Sequence, residues 1–458
     1  MKFLATILLL VPAIAALEFP QCPSPSWPTG PGSEIRAPGV PRDMARILSG
    51  ISDKRIEAII KKLTTFHTRH TLSRQDSPTI GIGAARDWIK SEYDSFGGNL
   101  QVSIQTYLQP IQAPRIDRPV NISNIVAVLP GYDSNRVYVI SGHYDTRASD
   151  VMNPDIEQHG ANDDASGVAA VMEVARVLAK QKFPATLIFA AVAGEEQGLY
   201  GSNHLAQTLK AAGIDVQGMF TSDIVGSSTA DDGVKDPFSV RLFAQGIPLF
   251  QSSAVQAAYA GVGGENDSPA RQLARYAASV ASNIATGMKV RIVYRLDRYL
   301  RGGDHRPFLI AGYPAARFTE PNENYAHQHQ DIRVENGKQY GDLAEFCDFQ
   351  FIQRVSKVNA ATLWNLASAP GTPKNVTIDT IALGNDSKMM WIAAKDDNLK
   401  GYEIVWRPTT APDWTNEIWV GLVNEATVDL SKDNVVFGVR AVGKNGYKSP
   451  VAFPLPSV

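Results

Sequence analysis

The strongest constraint in this sequence is the way short apolar runs take turns with helical stretches along most of its length. Ile125-Val-Ala-Val-Leu129, Val137-Tyr-Val-Ile140, Ala185-Thr-Leu-Ile-Phe-Ala-Ala-Val192, Gly218 to Ser222 and Val290 to Tyr294 read as strands. Between and after them, helical spacing predicts helices over Gly167–Lys180, Tyr200–Lys210, Pro269–Thr286 and Gln339–Leu366. Upstream, Ile47, Ile51, Ile56, Ile59 and Ile60 predict one helix running from Arg42 to Lys62, with another over Ala84–Phe96. Alternation of this kind places helices on the faces of a mostly parallel sheet, so the expected fold class is α/β.

The two ends have a different character. Met1-Lys2 precedes the apolar run Phe3 to Ala13 and the small residues Ala13-Ile-Ala-Ala16, the pattern of a signal peptide over residues 1–16, so the product is expected to be secreted. Residues 17–41 are rich in Pro, Gly and Ser and read as an extended arm or removable pro-segment that contributes little to a core. Cys22 and Cys347 allow one bridge or two separate thiols. Asn121, Asn266, Asn375 and Asn385 head glycosylation triplets. Near Ser368, Ala369-Pro-Gly-Thr-Pro-Lys374 breaks the helical pattern. Met389-Met-Trp-Ile-Ala-Ala394, Gly401 to Arg407, Glu417 to Leu422 and Val435 to Val442 then alternate large with polar residues, as in a small β-sandwich. The expected organisation is therefore a catalytic domain over 42–368 and a sandwich over 369–458. Removing the latter is expected to leave a folded remainder.

Acidic and imidazole residues cluster just after the apolar strands: Gly142-His143-Tyr-Asp145, Gly194-Glu195-Glu196 and Ser222-Asp223. In open α/β sheets ligands gather at the carboxyl ends of strands, so these residues point to one site. His143 and Asp145 share a face if the strand persists, which lets Asp145 accept a hydrogen bond from the non-ligating nitrogen of His143. Asp164 reads as a helix cap, whereas Asp163, in a turn of minimal bulk, can reach inward and bridge two cations. Glu195 and Glu196, as neighbours in extended chain, would point in opposite directions, one toward metal and one toward substrate. His327 and His329 offer a further nitrogen, of which only one need face inward. His305 is as readily structural, and His67, His70, His159 and His204 are read as ordinary loop or surface histidines. A net charge of −2 with no basic stripe excludes a nucleic-acid partner, and no later segment is long and apolar enough for a membrane span. No Gly-x-Ser-x-Gly elbow is present.

Taken in order, His143-x-Asp145, Asp163, Glu195-Glu196, Asp223 and His327 resemble the co-catalytic two-zinc exopeptidases that include secreted leucine aminopeptidases and vacuolar aminopeptidase Y. The resemblance covers about Arg42 to Leu366. It implies two Zn2+ ions, one on His143 and Asp223, the other on Glu196 and His327, with Asp163 bridging. Asp145 would orient His143, and Glu195 would be the general base. His327 is preferred to His329 by matching His-x-x-x-Asp to His327 and Asp331. Tyr325 would help meet charge on the tetrahedral oxygen. The partners implied are peptides with free termini. Carboxypeptidases, dipeptidases and glutaminyl cyclases share this fold and stand as alternatives, with a non-catalytic scaffold more remote. Trp391, Tyr402-Glu-Ile-Val-Trp-Arg407 and Val439-Arg-Ala-Val442 resemble fibronectin type III domains.

Overall fold

The computed structural model describes residues 27–457, so the expected signal peptide and Cys22, with any pairing to Cys347, lie outside the described residues. In chain order the first nine strands are β1 (Ser33–Glu34), β2 (Gln101–Gln109), β3 (Val120–Leu129), β4 (Asp133–His143), β5 (Ala185–Val192), β6 (Asp215–Ser222), β7 (Ser239–Ala244), β8 (Lys289–Val293) and β9 (Ala315–Thr319). Strands β2 to β9 form one sheet in the order β2-β3-β5-β4-β6-β9-β7-β8. Its central block, β5-β4-β6-β9, is parallel throughout. On either side β3 and β7 run antiparallel to that block, so the sheet is mixed at its margins. The carboxyl ends of four adjacent strands therefore open along one edge, where the chain leaves β4, β5, β6 and β9.

The strands alternate faces with a period of two. Tyr138, Ile140, Leu187 and Phe189 pack on one side with helices Asp53–Thr64, Ala165–Leu178 and Phe349–Ser368. Val137, Val139, Ile188 and Ala190 pack on the other, with Tyr200–Ala211 and His305–Ala311. The first predicted helix is in fact two, Arg42–Ser49 and Asp53–Thr64, because the Ser52 hydroxyl caps a new start by accepting from the Arg55 amide. The last is shorter than expected: Gln339 belongs to a hairpin of Arg333–Glu335 with Lys338–Tyr340, and the helix begins at Phe349, capped by Asp348. Helix Ala165–Leu178 starts hard against the end of β6. A Cβ on Gly167 would lie 1.9 Å from the Ser222 carbonyl oxygen, so only glycine allows this approach.

After Ser368 the chain builds two facing sheets, one of four strands and one of three strands that β1 extends to four. Met389, Trp391, Ile404, Trp406, Phe437 and Val439 fill the space between them. The arm is not idle: β1 pairs with Asn416 and Glu417 of one of these sheets, and the Trp406 indole donates to the Pro31 carbonyl at 2.8 Å. The seam with the larger sheet region contains buried charge. Asp267 accepts from Arg407 of the sandwich at 2.7 Å and from Arg275 at 3.1 Å, all three side chains being almost wholly enclosed. No helix among the described residues is long and apolar enough to cross a membrane.

Candidate metal centre

Each strand end delivers one part of a single cluster. His143 is the last residue of β4, and its backbone N–H donates to Asp164 Oδ2 at 3.0 Å. Asp164 also accepts from Gly167 N and Ile224 N, so the helix cap joins β4, β6 and the helix start. Asp163, one residue earlier, is held by Asp342, whose carboxylate accepts from the amides of Asn162 and Asp163, each at 2.7 Å. After β5, Gly194 takes φ 74° and turns the chain into the single helical turn Glu195–Gly198. Glu195 and Glu196 thus open a helix instead of continuing a strand, and their separation in direction comes from helical rotation. Asp145 lies beneath this turn, accepting from Glu195 N at 3.2 Å, Glu196 N at 3.1 Å and the Thr71 hydroxyl at 3.0 Å.

Two sets of three donor atoms result, His143–Asp163–Asp223 and Asp163–Glu196–His329, and within each all atoms lie inside 4.8 Å of one another. His143 Nε2 is 3.1 Å from Asp163 Oδ1 and 3.8 Å from Asp223 Oδ1. His329 Nε2 is 2.8 Å from Asp163 Oδ2 and 3.0 Å from Glu196 Oε1. Yet Glu196 Oε1 is buried with no hydrogen bond in good geometry. Imidazole nitrogens and carboxylate oxygens that converge without hydrogen-bond alignment suit a shared cation better than a shared proton. One oxygen of Asp163 serves each set. The donors, nitrogen and oxygen without thiolate, fit zinc.

The expectation that His327 supplies the second nitrogen is corrected. Its ring stacks on Phe346, centroids 3.6 Å apart and planes within 6°, away from the carboxylates. His329 reaches them because its backbone adopts φ 53°, a left-handed turn that reverses the direction of the loop after β9. The Asp145 reading changes as well. His143 Nδ1 is 3.1 Å from the Asp145 carbonyl and 3.6 Å from its carboxylate, so the backbone orients the ring while the carboxylate positions Glu195 and Glu196. Tyr325 is exposed, with 58% of its surface open to solvent. His305 is structural, its Nε2 bonding to the Leu296 carbonyl at 2.9 Å. His70 is buried, unlike the loop residue expected, and meets the Val151 carbonyl and Gln197.

A family model described as peptidase family M28 matches residues 124–342, the span that carries every strand end named above. A probable zinc metalloprotease of Leptosphaeria maculans is 56% identical over 93% of this chain and its own full length. One of Pyrenophora tritici-repentis is 55% identical over 97% of this chain and 93% of its own. The chain belongs to peptidase family M28. It is accordingly a metal-dependent peptide hydrolase. Among solved structures, the LapA aminopeptidase of Legionella pneumophila superposes with a TM-score of 0.50 at 19% identity, covering 72% of this chain and 76% of that one. A glutaminyl cyclase of Fimbriiglobus ruber gives 0.50 at 18%, covering 68% and 94%. At such identities these two establish the shared fold alone.

The M28 site also contains residues that the sequence did not single out. Arg317, fully buried in β9, bridges Asp223 at 3.0 Å and Asp297 at 3.1 Å, and this holds both carboxyls below their usual range against the opposing effect of burial. Asp304 is buried with neither carboxyl oxygen hydrogen-bonded, and burial pushes it up to about 7. Glu195 is likewise raised well above the ordinary range, by burial first and then by Asp223, Glu196 and Asp304, with His143 opposing. A buried carboxyl of raised pKa beside metal ligands is suited to move a proton. Nothing in the local sequence marks Arg317, Asp304 or Asp342. Only the sheet order and loop path bring them here.

Proposed function

We propose that the protein is a secreted aminopeptidase that works with two zinc ions, releasing residues from the N-termini of peptides. The observation that carries this reading is the pair of donor sets sharing Asp163, with the buried Glu195 carboxyl beside them. His143 and Asp223 would hold one ion, Glu196 and His329 the other, and Asp163 both. Bound there, zinc supplies a Lewis acid for the scissile carbonyl and a water of lowered pKa. Glu195 accepts the proton that the attacking water gives up and returns it to the departing amine. Asp145 fixes the turn that carries Glu195, and Arg317 fixes Asp223. The apolar leader from Phe3 to Ala13 supports export. The two facing sheets after Ser368, with Trp391 and Trp406 between them, support a fibronectin type III-like appendage.

The test follows cleavage of matched peptides with free or acetylated N-termini and free or amidated C-termini, with chelator and with zinc restored, alongside metal analysis. Loss of cleavage on acetylation, reversal of chelation by zinc and two zinc ions per chain are expected. Dependence on the free C-terminus, or cyclisation of N-terminal glutamine with one zinc per chain, would overturn the assignment.

A further inference from the structure

On the His329 side, the lip of the metal centre holds more arginine than its carboxylates account for. Glu323 faces three guanidiniums: Arg298 at 3.0 Å, Arg241 at 3.1 Å and Arg301 at 3.9 Å. Arg298 has a second partner in Asp297, which Arg317 already occupies. Arg301 is the most loosely held, with 33% of its side chain exposed. It reaches the Gln328 amide, donating to the oxygen at 3.3 Å, or at 3.1 Å with the amide turned over. That amide lies 3.4 Å from Asp163 Oδ2, the oxygen shared with His329.

Arg147 flanks the next residue. Its Nε donates to Glu196 Oε2 at 2.9 Å, and Nη2 lies against His329 Nδ1. Its Nη1 group has no partner among the described residues, and 21% of the side chain is open to solvent. Asp331, two residues beyond His329, is taken by the Ser149 amide and hydroxyl at 3.2 and 2.7 Å. Two partly exposed guanidiniums thus contact the adjacent residues Gln328 and His329, Arg147 with an unpartnered Nη1 among the described residues and Arg301 with its only carboxylate at 3.9 Å. A planar guanidinium fork matches a carboxylate, and a partly desolvated setting strengthens the match.

We propose that Arg147 and Arg301 form a carboxylate-binding subsite beside the metal centre, selecting peptides that carry a negative charge next to the scissile bond. The subsite rests on the exopeptidase reading only for the bond's position. The carboxylate comes either from an acidic side chain or from the C-terminus of a very short peptide.

Binding to the zinc-loaded Glu195→Gln protein, which retains peptide without turning it over, separates these sources. Calorimetry compares Ala-Glu-Ala-amide with Ala-Gln-Ala-amide, and Leu-Ala with Leu-Ala-amide. Tighter binding of the charged member by about tenfold is expected in at least one pair. The pair that responds names the source. Adding Arg301→Gln should cut that preference to about threefold or less, with the uncharged members unaffected. Equal affinity within both pairs overturns the proposal, as does an undiminished preference in the correctly folded Arg301→Gln background. The two readings fail separately. A charge preference in binding without peptidase activity in the unmodified protein sinks the exopeptidase reading alone, and cleavage without charge preference sinks the subsite alone.

Discussion

Replacing His329 and His327 one at a time by alanine separates two histidines that the sequence leaves equivalent. His329→Ala removes one of three donors from the Asp163–Glu196–His329 set and leaves two carboxylates whose donor oxygens lie within 4.8 Å of each other. Losing even an outer partner of a ligand costs about 10- to 100-fold in metal affinity, so losing the ligand should cost at least that. His327→Ala removes a ring stacked on Phe346 at 3.6 Å, half-buried, for which about 0.5–1.5 kcal/mol of stability is expected and no change in metal content. Zinc per chain after equilibrium dialysis, read with kcat on a peptide and with thermal melting, distinguishes the two. His329→Ala should fall toward one zinc and lose most turnover, while His327→Ala should keep both and melt slightly earlier. If His327→Ala lost zinc while His329→Ala kept it, the geometric reasoning would be refuted, since no rearrangement short of refolding the loop exchanges the two rings.

Four further outcomes are expected. Glu195→Gln should retain zinc but lose about 10²- to 10⁴-fold in kcat, and near-normal turnover would remove it from the proton-transfer role. Without metal, the charges of Glu196 and Asp163 outweigh burial and raise His329 to about 9, so below that pH zinc must displace a proton. Zinc uptake should therefore release protons at pH 7, measurable by calorimetry in buffers of different ionisation heat, and should tighten as pH rises toward 9. A buffer-independent heat at pH 7 would count against it. Arg407→Met should destabilise the protein by roughly 3 kcal/mol in urea unfolding, because Asp267 would stay buried with Arg275 alone as its charged partner. For the same reason, and because β1 would lose its partner strand, truncation after Ala369 should give an unstable product, the reverse of what the sequence alone suggests.

The sheet and most of its cargo were legible because the relevant signals are local. An apolar run followed at once by His143, Glu195-Glu196 or Asp223 states both the strand and what stands at its end, and Gly160-Ala-Asn-Asp163 states a turn with an acid on it. What escaped depends on non-local geometry. Whether His327 or His329 turns inward is decided by one positive φ in a loop with no periodicity. Asp342 reaches Asp163 across 179 residues of sequence, and Arg317 sits in a strand whose pattern reads as plain core. Gly50-Ile-Ser52 held a helix break, but the isoleucine spacing on either side ran through it.

The pairing of β1 with Asn416–Glu417 also sets an order of events during synthesis. Ser33 and Glu34 emerge from the ribosome early, yet the strand they join is made almost four hundred residues later. Until then the arm has nowhere to dock, and the larger sheet must assemble with its leading segment loose. The sandwich sheet that β1 joins can take up the arm only once Asn416 and Glu417 have been made, so the two segments are tied together only from that moment.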